Sequence, residues 1–177
     1  MGARPRAKRQ GARHASAQGP TLRLRLATLD DARFLHRLRN DPVTRASSFH
    51  TEPIPYREHV AWLAKRLADP EKRVRLYVAM DGNGALLGQV RFDKDPKDPT
   101  RAEISIAVLP RFRDKGLGSR LLCLAVRRCP FDRILARIRI GNERSVRAFS
   151  GAGFARSGGI RKTPSPHLVL LCRRKTR

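Results

Sequence analysis

The chain reads as a layered α/β (α+β) domain in which strands and helices share one core. Three observations lead there. Short runs alternate apolar with polar residues at the period of two that a half-buried strand requires, longer stretches carry apolar stripes at helical spacing, and the links between them include both a tight hairpin and longer crossovers. A bundle would lack the first and a sandwich the second. With 177 residues, 40% of them apolar and 31% charged, the composition is globular and the length suits one domain. No apolar run approaches the ~20 residues that cross a bilayer, so no membrane partner is expected.

The first strand starts at Thr21, where Leu22, Leu24 and Leu26 alternate with Arg23 and Arg25. Thr28 caps the helix that follows, with Asp31 in the reciprocal position of a capping box, and Ala32, Phe34, Leu35 and Leu38 form its apolar stripe as far as Asn40-Asp41-Pro42. A second helix follows Pro55, turning Val60, Leu63 and Leu67 inward and ending near Asp69-Pro70. Leu76 to Met80 and Ala85 to Phe92 flank Asp81-Gly82-Asn83-Gly84, a turn whose residues tolerate positive φ, and so form an antiparallel hairpin. Asp93 to Pro99 is polar and holds two prolines, which predicts a loop. Arg101 to Leu109 alternates again, with Ile104, Ile106 and Val108 on one face. A helix from about Leu117 to Arg128, a strand from Ile134 to Ile140, a short helix from Glu143 to Ala152 closed by Gly153, and a strand from Leu168 to Cys172 complete the order.

Thirty-nine Lys and Arg against fifteen Asp and Glu leave a net charge of +24, so anionic molecules are drawn to the surface. That names a charge class of partner and no function. Residues 1–20 form a basic stretch without an apolar core for a secretion signal; they are expected to be a disordered tail ahead of one domain over residues 21–177. Neither basic end interleaves aromatic residues, so attraction to polyanions such as RNA should be nonspecific and weakened by salt. Cys123, Cys129 and Cys172 are odd in number and lack ligand spacing, which predicts neither a disulfide framework nor a metal site and favours a cytoplasmic location.

The most informative stretch runs from Leu109 to Leu122, where a strand ends, Gly116 and Gly118 turn the chain, and an amphipathic helix begins. The first amides of a helix are unpaired donors with partial positive charge, and glycines let a ligand approach the backbone, so a pyrophosphate fits there. Arg111, Arg113 and Lys115 surround the spot. It is no P-loop, since Ser119-Arg120 follows Gly118, and Leu121 occupies the third glycine position of a dinucleotide fingerprint.

Arg113-Asp114-Lys115-Gly116-Leu117-Gly118 resembles the R/Q-x-x-G-x-G/A signature of the GNAT family of acetyl-CoA-dependent N-acetyltransferases. A second block, Asn142 to Phe154 with Ser145, Phe149 and Gly153, is similar to that family's N-x-x-S/A-x-x-x-Y/F-x-x-x-G-F segment. The resemblance spans about Thr21 to Arg174. It implies a central mixed, mostly antiparallel sheet flanked by helices, with the fourth and fifth strands splayed to admit acetyl-CoA and no metal needed. It further implies that the pantetheine arm pairs near Ala107 and Val108, that the diphosphate rests on the amides of Arg113, Asp114, Lys115, Gly116, Leu117, Gly118 and Ser119, and that Asn142 and Ser145 flank the far wall. Asn142 is equally well placed to cap its helix.

Acetyl transfer needs an uncharged amine, and an alkyl amine holds its proton until pH about 10, so a base or a desolvating pocket must remove it. Glu103 is the first candidate, on the strand leading to the glycine turn and on the face of Ser105 and Ala107; a solvated carboxylate paired with Arg91 or Arg101 is the competing reading. His50, in the loop Ser47-Ser48-Phe49-His50-Thr51, is the second. His59, on a helix one turn before Leu63, reads as a packing or hydrogen-bonding residue. Where many relatives carry a tyrosine that protonates the leaving thiolate, this chain has Phe149.

Arg39-Asn40-Asp41-Pro42, Phe49 to Ile54, Glu58 to Trp62 and Gly88 to Phe92 resemble the GNAT branch that acetylates nucleotide-linked aminosugars, so a small-molecule amine such as a UDP-aminosugar is the acceptor this implies. Similar openings occur in GNAT proteins that resemble acetyltransferases of ribosomal-protein N-termini, and a noncatalytic module binding acetyl-CoA or a polyanion is the third reading. Oligomeric state is open at this level.

Overall fold

The computed structural model describes residues 21–161, 163 and 165–173; the expected basic tail lies outside the described residues. Among the described residues seven strands form one sheet in the order β1-β2-β3-β4-β5-β7-β6. They are β1 (Arg23–Leu26), β2 (Val74–Met80), β3 (Leu86–Asp95), β4 (Asp98–Val108), β5 (Arg133–Arg139), β6 (Ala155–Arg156) and β7 (His167–Arg173). Every neighbouring pair is antiparallel except β4 and β5, which are parallel. The helices are α1 (Ala32–Asn40), α2 (Pro42–Ala46), α3 (Tyr56–Leu67), α4 (Leu117–Arg128) and α5 (Glu143–Gly151).

The alternation of the strands sorts apolar residues onto two faces. On one face Val90, Phe92, Ala102, Ile104, Ile134, Ala136 and Ile138 pack beneath Leu121, Leu122 and Ala125 of α4 and Phe149 of α5. On the other, Leu76, Val78 and Ala107 meet Phe34, Leu35 and Leu38 of α1 and Leu63 of α3. This is the predicted mixed, mostly antiparallel sheet flanked by helices. α1 is entered through a single 3-10 turn in which the Thr28 amide donates to the Asp31 carboxylate at 2.8 Å, while Asp31 also takes both Nη groups of Arg25 at 2.7 Å. That bidentate pair ties the helix start to β1.

The structure corrects the sequence reading chiefly at element ends. Leu67, expected to face inward, is 39% exposed, and Leu26 and Ile140, at the ends of their alternating runs, are 59% and 48% exposed. Leu26 and Leu67 are the last residues of β1 and α3, and Ile140 lies just beyond β5, where the opposing layer no longer covers them. The expected loop from Asp93 to Pro99 is mostly strand, since β3 runs to Asp95 and β4 restarts at Asp98. Pro96 sits in the turn, and Pro99 precedes the first β4 residue paired with β5, Arg101, so its missing N–H costs no bond there. The Asp95 carboxylate accepts the Lys97 amide at 2.8 Å and fixes that turn. α2 and the short β6 were not expected. α2 is capped by Asp41, whose side chain accepts the Thr44 amide at 2.9 Å, and Pro42 supplies its first residue.

Candidate active site

β4 and β5 are joined by only three residue pairs, Arg101 with Arg133, Ala102 with Ile134 and Glu103 with Leu135. Beyond Glu103 the strands diverge. The β4 edge from Ile104 to Val108 therefore faces β5 without a ladder partner, and the β-branched residues that make β4 a strand carry the chain on to the glycine turn at the wide end of the gap.

That turn is built from a 3-10 turn at Pro110–Phe112, then Asp114 at φ +58°, then Gly116 at φ +71° immediately before α4. Positive φ at Gly116 is the reason a glycine stands there. At Gly118 the reason differs: a Cβ would meet Ala148 and Ile106 at ordinary distances of 3.5 and 3.7 Å, so the fold itself does not demand glycine. Asp114 is held in its uncommon conformation opposite Arg144, with Nε to Oδ1 at 3.0 Å. Lys115 is exposed, Ser119 is half-buried, and Leu117 anchors the first turn of α4 in the core. Arg113 turns back: Nε donates to the Val108 carbonyl at 3.1 Å, and Nη2 donates to Thr44 Oγ1 at 3.1 Å and to the Asp41 carboxylate. Burial pushes the Asp41 carboxyl up, but Arg113 and the Thr44 amide outweigh it and hold the group below the usual carboxylate range.

On the far wall Asn142 caps α5, its side chain accepting the Ser145 amide at 3.1 Å, and α5 lies so close to α4 that a Cβ on Gly151 would come within 3.3 Å of Ser119 Oγ. Phe149 is buried edge-on against Phe154 at 5.0 Å, a core position with no hydroxyl to offer. Ala107 and Val108 lie on the part of β4 without a β5 partner, Ala107 packed in the core under α1 and α3 and the Val108 carbonyl already occupied by Arg113.

The face under α1 and α3 is cationic. Glu103 stands at the vertex of the gap and is joined by Arg137 Nε at 2.8 Å, not by the Arg91 or Arg101 expected from sequence. Arg137 in turn stacks on Phe49, 5.0 Å from its ring centre. Arg91, opposite Ser105 in the β3–β4 register, lies over Trp62 at 5.8 Å and takes Asp93 at 2.8 Å. Arg139 donates to the carbonyls of Ala46 and Ser48, both at 3.0 Å, and so draws the segment after α2 over the end of β5. Arg39 donates Nη2 to the His50 carbonyl at 2.8 Å, whereas its Nη1 is buried with no partner among the described residues. The His50 side chain is exposed, and no hydrogen bond joins it to Glu103. His59 is buried beside His36 and Trp62, as a packing residue should be, with Nε2 unpartnered among the described residues; burial first, then His36 and Arg39, lower its affinity for a proton.

The gap between β4 and β5 is a cleft whose narrow end is at Glu103, and the glycine turn, joined to the start of α5 through Asp114 and Arg144, follows β4 at its wide end. The sequence reading named Arg91 only as a partner for Glu103 and gave Arg39 and Arg139 no place on this face. Arg91 and Arg139 sit at alternate positions opposite apolar neighbours, the signal by which their shared face was recoverable. Among the described residues no three His, Cys, Asp or Glu side chains group as metal ligands, and no helix is long and apolar enough to cross a membrane.

A mixed sheet that splits between two parallel neighbours, with a helix N-terminus opening over the split, is the architecture of a CoA-dependent acetyltransferase. Residues 21–155 match the family model described as the acetyltransferase (GNAT) domain. A Bacillus subtilis (strain 168) protein named as a phosphinothricin acetyltransferase, YwnH, is 32% identical over 142 residues, 76% of this chain and 85% of that protein. Spermidine N-acetyltransferase from Vibrio cholerae, solved with CoA and spermine, superposes with a TM-score of 0.75 at 21% identity over 86% of this chain and 95% of its own. A crystal structure described as that of a phosphinothricin N-acetyltransferase superposes with a TM-score of 0.70 at 28% identity over 86% of this chain and 98% of its own. The chain belongs to the GNAT acetyltransferase family, enzymes that transfer acetyl groups to amines.

Proposed function

We propose that this chain transfers the acetyl group of acetyl-CoA to a primary amine on a small molecule. The separation of β4 from β5 directly beneath the N-terminus of α4 carries the reading. In it the diphosphate lies on the amides of Arg113 to Ser119, the pantetheine arm follows the unpaired edge of β4 past Ala107 and Val108, and Asn142 and Ser145 form the opposite wall. The thioester then comes to the narrow end of the gap, where Glu103 takes the proton from the attacking amine, with His50 as the alternative base. Unpaired amides of β4 stabilise the oxyanion, and a thiol of pKa about 8.5 leaves as thiolate without the phenol that Phe149 replaces. A nucleotide-linked aminosugar remains the acceptor that the sequence resemblance favours, and the amines in the names of the relatives, spermidine and phosphinothricin, are the comparison set. The cytoplasm, where acetyl-CoA and free thiols coexist, is the matching location.

Calorimetry with acetyl-CoA tests the cofactor site. Gly118→Ala fits the observed space and should bind as the natural chain does, whereas Gly118→Glu places a carboxylate in the phosphate path and should weaken binding by about 100-fold or more. Undiminished binding by the glutamate variant would put acetyl-CoA elsewhere.

A further inference from the structure

The cleft face under α1 and α3 holds more cations than its own acids neutralise. Asp41, Asp93 and Glu103 are each engaged, by Arg113, Arg91 and Arg137. Among the described residues, the hydrogen-bond acceptors of Arg39, Arg45 and Arg139 are neutral backbone carbonyls: those of His50, of Asn40 and Thr51, and of Ala46 and Ser48. Arg39 bears most of the consequence, since it is half-buried, repelled by Arg91 and Arg45, and has one guanidinium nitrogen buried without an acceptor among the described residues. Like charges brought together are costly where burial reaches them, as it does at Arg39 Nη1, unless an anion joins them. Arg91 keeps both Nη groups clear of Asp93, which takes Nε alone. Its register partner Ser105 is two residues from Glu103 on β4, and facing residues on paired strands hold their Cβ atoms about 5 Å apart.

We propose that Arg39 and Arg91 form an anion site beside the reactive centre, and that the acceptor amine carries a phosphate, phosphonate or carboxylate that binds there. Two planar guanidinium forks on separate elements, one fixed by α1 and one stacked on Trp62, suit the several acceptor oxygens of such a group. A polycationic amine meets repulsion at the same place. This rests on the acetyl-transfer reading above for what the amine does, but the anion site itself can be read without turnover.

The test has two arms. In the first, thiol release from acetyl-CoA is followed with 2-aminoethylphosphonate, β-alanine, a UDP-linked aminosugar, n-propylamine and spermidine. The anionic amines should exceed n-propylamine in kcat/KM by about tenfold or more, and Arg39→Gln should erase most of that preference through KM, while Arg147→Gln, on the exposed face of α5, should not. Whether the phosphonate, the carboxylate or the nucleotide sugar leads identifies the source of the anion. Equal or better use of spermidine or n-propylamine overturns the proposal, as does a preference that survives both Arg39→Gln and Arg91→Gln. In the second arm 2-aminoethylphosphonate is titrated against the fluorescence of Trp62, the only tryptophan. A saturable change in the natural chain that Arg39→Gln abolishes supports the site even if no amine is acetylated, an outcome that would sink the acetyl-transfer reading alone. No change in the natural chain overturns it. Should Arg39→Gln fail to fold, Arg91→Gln, whose side chain is 35% exposed, serves in both arms.

Discussion

Glu103 is the last β4 residue held by β5, so its carboxylate is placed by backbone pairing on both sides before Arg137 adds a third constraint. On the proposed function, a base so positioned acts only on an amine brought to the narrow end of the gap. Glu103→Gln should keep acetyl-CoA affinity while lowering kcat about 100-fold at neutral pH, with partial recovery as pH rises and free amine accumulates. Steady-state rates from pH 6 to 10, run beside His50→Gln, check this; a loss that follows His50 instead transfers the role. The chemistry was unevenly legible at this scale. Arg113 to Ser119 lie together in the chain, and their motif could be read directly. The partners of Arg113, Asp41 and Thr44, are 72 and 69 residues away, and the partner of Glu103 is 34 away on a parallel strand, so only the folded sheet shows them.

At the scale of elements, helices and strands with a covering layer along their whole length followed their apolar periodicity, and α4 runs over the residues its stripe predicts. Departures came where cover ends, at Leu26, Leu67 and Ile140, or where hydrogen bonding of side chains overrides composition, as in α2 and the Pro96 turn. The β3–β4 pair holds one constraint that composition does not reveal. Gly88 pairs with Val108, and a Cβ there would lie 2.4 Å from the Ala107 carbonyl oxygen and 3.2 Å from Val108 Cα. Both are backbone atoms, so β4 itself must move. Gly88→Ala should cost about 1–3 kcal/mol in urea unfolding and weaken acetyl-CoA binding as well, because the displaced residues border the cleft. A variant as stable as the natural chain would mean that the strands separate here more easily than their pairing suggests.

For the whole molecule, titration should be felt in two steps. His59 takes a proton less readily folded than unfolded, so stability is full above the unfolded value of about 6.5 and falls as pH drops below it, by at most about 1.4 kcal/mol per pH unit. Asp31 and Asp41 hold their protons less tightly folded, through Arg25 and Arg113, so their contribution persists down to about pH 4 and is lost below it. Urea midpoints measured from pH 8 to pH 3 should show both declines, with His59→Leu removing the first and Asp41→Asn shrinking the second. The parting of β4 and β5 has a different consequence at this scale. A strand edge is a template for pairing with another chain, and soluble proteins usually confine such edges to the margins of a sheet and blunt them there. Here one is carried in the middle, between two antiparallel halves sewn together by three residue pairs, while the segment that Arg139 draws across from α2 lies over the end of β5. On the proposed function acetyl-CoA fills that seam, so the same molecule that supplies the acetyl group also keeps the protein from sticking to its own kind; light scattering on warming should rise earlier in the chain stripped of acetyl-CoA than in the saturated one.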